Sequence, residues 1–154
     1  RKAFPDMAAR HGPKPVLTVD AVLIRDGSVL LVRRGAEPFR DSWALPGGFM
    51  EEGETCEEAV SRELLEETGI SSRPLGLAGV FSAPDRDPRH HTVSVAFIMS
   101  PGEGEPRGGD DAAEARFFTL DSLPPLAFDH GEVLEAALAG GGAGLRGKKG
   151  DGGR

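Results

Sequence analysis

Residues 48–70 read GFMEEGETCEEAVSRELLEETGI, and no other stretch constrains the chain as strongly. Between Glu51 and Glu67 there are eight glutamates and one base, Arg62. The local charge equals the −7 of the whole 154-residue chain, so everything outside this stretch balances to zero. Thr55 followed three residues later by Glu58 is a capping box and places a helix start at Thr55. Gly69 suits the position where a left-handed backbone ends that helix.

On such a helix Glu63, Glu66 and Glu67 fall within about one third of the circumference. Arg62 is i,i+4 to Glu66 and braces it, while Val60 and Leu64 flank the carboxylate stripe and can pack onto a sheet. The plain alternative is a solvated acidic face with one ion pair. Like charges at i,i+4 cost about 0.2–0.5 kcal/mol per pair, so stacking three invites a neutralising cation. All-oxygen ligands favour Mg²⁺, Mn²⁺ or Ca²⁺ over zinc or copper. Mg²⁺ usually shares its shell with substrate phosphates, which points to phosphate chemistry.

The rest of the chain sets the frame. Hydrophobic content of 38% with 28% charged residues is ordinary for one globular domain of this length. We expect a flexible leader over residues 1–14, a domain over 15–139 and a disordered glycine-rich tail over 140–154. No apolar run approaches the ~20 residues needed to span a bilayer, and the basic start lacks the apolar core of a secretory signal. Cys56 is the only cysteine, which excludes an internal disulfide and a cysteine-based zinc site. A cytoplasmic location is expected. An acidic chain without a basic stripe is a poor candidate for nucleic-acid binding.

Residues 16–34 read as two strands around the turn Arg25–Asp26–Gly27–Ser28. Phe39 to Met50 reads as a loop broken by Pro46, Gly47 and Gly48. After Gly69, residues 74–83 and 91–100 read as strands joined by a polar link. Residues 103–114 read as a loop, 115–120 as a strand and 129–139 as a closing helix. Strands mixed with two or three helices predict an α/β layered domain.

The acidic segment matches, at every specified position, the signature of the Nudix hydrolases: G, five residues, E, seven residues, then R-E-U-x-E-E-x-G-U, with U aliphatic. Those positions are Gly48, Glu54, Arg62, Glu63, Leu64, Glu66, Glu67, Gly69 and Ile70. Leu45–Pro46–Gly47 also resembles the family's approach to this box, and the resemblance covers roughly residues 16–138. It implies an αβα sandwich with a mixed central sheet and a loop–helix–loop metal site. It also implies hydrolysis of a nucleoside diphosphate linked to a second moiety, by water attack at phosphorus. Carried over by position, Glu63 and Glu67 are the principal ligands of Mg²⁺ (Mn²⁺ possible), with Glu66 sharing in the cluster and the Gly47 carbonyl as a backbone ligand. Arg62 orients the glutamates, and Glu54 supports the site.

Pro84 stands fifteen residues after Gly69, an offset that resembles the ADP-ribose pyrophosphatase branch; an ordinary loop proline is the alternative. EPFRDSWALPGGF and LAFDH resemble the same branch. The chain has no tyrosine, so the tyrosine that marks dinucleoside polyphosphate hydrolases near this offset is absent. The expected reaction is therefore cleavage of ADP-ribose to AMP and ribose 5-phosphate, and the resemblance to that branch implies a homodimer. An oxidised nucleoside triphosphate, another nucleotide sugar, or a non-catalytic nucleotide-sensing role are the rivals.

Arg86 and Arg89 are candidate substrate contacts, because guanidinium suits phosphate; a solvated charged loop is the alternative. Phe81 is a candidate for stacking on adenine, against a place in the core, and Phe39 and Trp43 share that choice. Either Arg33 or Arg34 can face substrate. Asp110, Asp111 and Glu114 are candidate general bases, with Glu114 favoured. His130 reads as capping or packing at a helix start.

Overall fold

The computed structural model describes residues 12–109 and 112–140. Most of the expected leader and tail, and both Asp110 and Asp111, lie outside the described residues. Strand β1 (Val16–Arg25) turns through Asp26 and Gly27, at φ 47° and 77°, into β2 (Ser28–Arg34). Two successive positive φ values are what a two-residue hairpin on twisted strands requires, and Asp-Gly supplies them. Next come β3 (Trp43–Ala44), β4 (Gly47–Phe49) and helix α1 (Cys56–Thr68). Strands β5 (Pro74–Phe81), β6 (Thr92–Met99) and β7 (Ala112–Thr119) precede helix α2 (His130–Leu138).

The sheet runs β3-β2-β1-β6-β5, with β4 also pairing β1 and β7 also pairing β2. β1 lies parallel to β6 from Val16↔Thr92 to Leu23↔Met99, and the other pairs are antiparallel. Both faces of β1 are covered. Val19, Ala21 and Leu23 pack with Ala59, Val60 and Leu64 of α1. Val22 packs on the opposite side with Val133 and Leu134 of α2. This is the αβα sandwich, and its two covered faces explain why β1 is almost continuously apolar.

α1 begins as read: the Thr55 side chain accepts from the Glu58 amide, and the Glu58 side chain accepts from the Thr55 amide. Gly69 ends it at φ 76°. Two local readings change. The segment 39–50 contains two short strands, and β4 is the more important because it lays Gly47 and Gly48 beside Asp20 and Val19 of β1. β7 starts at Ala112 rather than residue 115, because its first residues complete the ladder to β2. No helix among the described residues is long and apolar enough to cross a membrane.

Candidate active site

α1 packs across β1 and β4 through Val60 and Leu64, both fully buried, and this sets where its glutamates reach. Glu63 and Glu67, one turn apart, both meet the paired glycines of β4. The Glu67 Oε1 accepts the Gly47 amide at 3.0 Å. The Glu63 carboxylate lies against Gly48 so closely that a Cβ there would sit 2.5 Å from Oε2. Glycine at 48 is therefore a condition of bringing this carboxylate onto the backbone.

Arg62 organises the remaining acids. Its guanidinium forks onto Glu54, at 2.5 and 2.9 Å, and reaches Glu63 at 3.2 Å, Glu66 at 3.1 Å and the Phe49 carbonyl at 3.2 Å. The Glu66 contact is the expected i,i+4 pair. Arg62 and the Glu51 amide hold the Glu54 carboxyl down at about 2 from its ordinary 4.5, and the bonds to Glu54 and Glu63 raise Arg62 in turn.

That depression has a testable sign. Glu54 contributes its stability in full above pH ~4.5, where the unfolded carboxylate is also ionised, and loses it as pH falls toward 2. Wild type and Glu54→Gln are expected to differ in urea midpoint at neutral pH and to converge between pH 4.5 and 2. A gap that stays constant over this window would show that the Arg62 fork carries no such linkage.

In front of the β4 glycines lies a cleft of about 460 Å³ lined by Glu63, Glu67, Gly47, Gly48, Glu51 and Asp20. Arg34, Arg86, Arg89, Phe49, Phe128 and His130 also line it. Of the expected residues, Gly47, Glu63, Glu67, Arg86 and Arg89 come together here. Glu66, Phe81, Pro84 and Glu114 do not line the cleft. Glu66 is turned to Arg62, and Phe81 packs into the α2-side core. Pro84 is solvent-exposed, and Glu114 pairs with Arg33 at 3.3 Å. Trp43 packs edge-on to Phe118, 4.7 Å between ring centres. Strand alternation settles the arginine choice: Arg34 faces the cleft, its guanidinium 4.9 Å from the centre of the Phe128 ring.

Arg89 sits between Phe49 and Phe128, 5.7 and 5.9 Å from their ring centres, and forks onto Asp87. Burial opposes the charge on Asp87, but the Arg89 guanidinium and amide outweigh it and keep its pKa below the ordinary range. Phe49, Phe128 and Asp20 were not singled out from sequence. Asp20 had a visible signal, as the one charge inside the apolar run of β1.

The donor set suits a hard divalent cation. Glu63 and Glu67 converge on the glycine pair, and a Cβ on Gly48 would fill the space that the Glu63 carboxylate uses. Among the described residues no three His, Cys, Asp or Glu side chains group tightly enough to hold an ion by themselves. Two carboxylates, with water and substrate phosphate completing the shell, match how Mg²⁺ is normally held.

Fold, box and cleft together define a Nudix hydrolase. The NUDIX domain profile matches residues 14–137, and the chain belongs to that family. An ADP-ribose pyrophosphatase of Methanocaldococcus jannaschii is 50% identical over 121 residues, covering 79% of this chain and 72% of that one. The chain spans 55% and 54% of the length of two further curated relatives. Among solved structures, the NUDIX domain of Shewanella oneidensis NrtR complexed with ADP ribose superposes with a TM-score of 0.78 at 29% identity. That match covers 90% of this chain and 97% of the other. A bifunctional NMN adenylyltransferase/ADP ribose pyrophosphatase of Francisella tularensis, complexed with AMP and a Mn ion, gives 0.72 at 31% identity, over 88% of this chain and 44% of that one.

Proposed function

We propose that this chain hydrolyses ADP-ribose to AMP and ribose 5-phosphate with Mg²⁺, acting in the cytoplasm as a homodimer. The observation that carries the chemistry is a single cleft with the Glu63–Glu67 pair on one wall and Arg34, Arg86 and Arg89 around it. Similarity to the M. jannaschii enzyme supports the substrate.

Glu63 and Glu67 would hold a divalent ion, which would supply charge neutralisation for the diphosphate and a lowered pKa for the attacking water. The chain's own residues do the rest. Gly47 and Gly48 let β1 and the Glu63 carboxylate lie directly against the β4 backbone at the cleft. Arg62 orients Glu63 and keeps Glu66 out of the cleft. Arg34 offers guanidinium to phosphate, Arg89 does so only through the Nη1 left outside its fork onto Asp87, and the exposed Phe49 ring offers a face to a planar base. Arg86 is already bound by Asp129, so it shapes the wall of the cleft. A role for Glu114 as general base requires its pair with Arg33 to open.

Purified protein, checked for the dimer by light scattering, is incubated with Mg²⁺ and equal concentrations of ADP-ribose, NADH, diadenosine tetraphosphate and 8-oxo-dGTP. AMP and ribose 5-phosphate are expected chiefly from ADP-ribose. Preferential loss of 8-oxo-dGTP would reject the substrate and keep the hydrolase. Tight ADP-ribose binding without turnover would return the sensing role.

A further inference from the structure

In the wall of the cleft lies a largely buried polar cluster to which the chemistry above assigns no reacting role. Asp20 and His130 are each 6% exposed, and the Arg86 side chain is 5% exposed. His130 opens α2, and its Nδ1 accepts the Leu45 amide at 3.0 Å. An accepting Nδ1 puts the ring proton on Nε2, which faces the Asp20 Oδ1 at 3.5 Å. The Asp20 Oδ2 accepts the Ser94 hydroxyl, and Arg86 stands 3.9 Å from it. Arg86 is in turn forked onto Asp129 and donates to Thr92. Burial holds His130 below its ordinary pKa, against the pull of Asp20 and Asp129, which keeps Nδ1 an acceptor.

The Leu45 amide that His130 holds lies two residues before Gly47. From Leu45 the chain runs through Pro46, whose carbonyl accepts the Ala21 amide at 2.8 Å, to Gly47, whose amide is held by Glu67. A Cβ on Gly47 would lie 2.6 Å from the Asp20 Oδ1, so the carboxylate that orients the ring also abuts the glycine. The imidazole therefore secures one end of a short segment whose other end meets Glu63 and Glu67. Removing one member of a buried polar cluster costs stability, whereas a ~1 Å misplacement of reacting groups costs about 10²-fold in rate, so the two effects are told apart by reading Tm beside kcat.

We propose that His130, oriented by Asp20, is a positioning residue for hydrolysis: its Nδ1 seats residues 45–48 against Glu63 and Glu67. The proposal rests on hydrolysis at those two glutamates and not on which nucleotide is cleaved. The bland alternative is a histidine that only packs, 5.3 Å from the Phe128 ring centre; it predicts nothing special about Nδ1.

Two isosteres separate the readings. His130→Asn keeps an acceptor near the Nδ1 position, whereas His130→Gln places its amide near Nε2 and leaves the Leu45 amide unpaired. kcat and KM are measured on whichever panel substrate wild type cleaves fastest, together with Tm and Mn²⁺ affinity by paramagnetic resonance. His130→Asn is expected to stay within about threefold of wild type, while His130→Gln loses about 10–100-fold in kcat and weakens Mn²⁺ with little change in KM. Equal losses in both variants, or losses that follow Tm, overturn the proposal. If His130→Gln does not fold, nitrogen NMR of wild type and the kcat of His130→Asn decide: a proton on Nδ1, or a kcat in His130→Asn that falls in step with Tm, refutes the proposal, and a proton on Nε2 with kcat kept within about threefold despite a lowered Tm upholds it. Should wild type cleave none of the panel, the substrate reading fails, and the order of Mn²⁺ affinities still judges His130.

Discussion

Glu67→Gln is expected to lower kcat by about 10²–10³-fold, the cost of removing one directed electrostatic group from a reacting centre. The substitution isolates charge from shape. Glutamine keeps an oxygen that can accept the Gly47 amide, now bonded to Glu67 at 3.0 Å, so the β4 segment need not move. Stability should hold or rise slightly, because Glu63 and Glu67 repel at i,i+4 by about 0.2–0.5 kcal/mol when no cation lies between them. Activity lost while Tm is kept is thus the signature. Wild-type turnover at saturating Mg²⁺ would remove Glu67 from the metal site.

Arg62→Met should damage both fold and rate. It deprives Glu54, Glu63 and Glu66 of their shared guanidinium, and Glu54 and Glu63 have side chains only 15% exposed. Water screens part of the resulting repulsion, so a loss of several degrees in Tm is expected rather than outright unfolding. Turnover should fall about 10–100-fold, as when a group that orients metal ligands is removed. Arg62→Lys distinguishes charge from geometry. Lysine restores a cation but cannot fork onto Glu54 while also reaching Glu63, Glu66 and the Phe49 carbonyl. It is expected to recover much of the Tm and little of the rate, as measured by thermal unfolding beside steady-state kinetics. A lysine variant with wild-type turnover would mean that charge alone suffices at this position.

Features that depend on near neighbours in the chain were readable before any coordinates. The capping box at Thr55, the left-handed Gly69, the Asp26–Gly27 turn and the i,i+4 geometry of Glu63 and Glu67 are each set within a few residues. β3 and β4 were hidden because strands of two and three residues are too short to show a period. The early start of β7 was hidden because alanine has little strand preference of its own, and pairing with β2 overrides it.

The cleft divides in the same way. Which glutamates share a helix face follows from 3.6 residues per turn, so the acidic half of the site was visible in the spacing from Arg62 to Glu67. The other half is assembled from contacts between distant residues: Leu45 with His130, 85 apart, and Arg86 with Asp129, 43 apart. Arg86 lies on the cleft wall bound to Asp129, and Glu114 carries Arg33. Residue type tells what a side chain can bond, but which partner reaches it depends on how β1, β5 and α2 pack. Local periodicity therefore sufficed for an α/β layered domain and the glutamate stripe, while the αβα sandwich followed from the resemblance of the acidic box. The partners of Asp20, Arg86, Glu114 and His130 required the packed chain, because burial pairs polar groups by proximity in space rather than along the sequence.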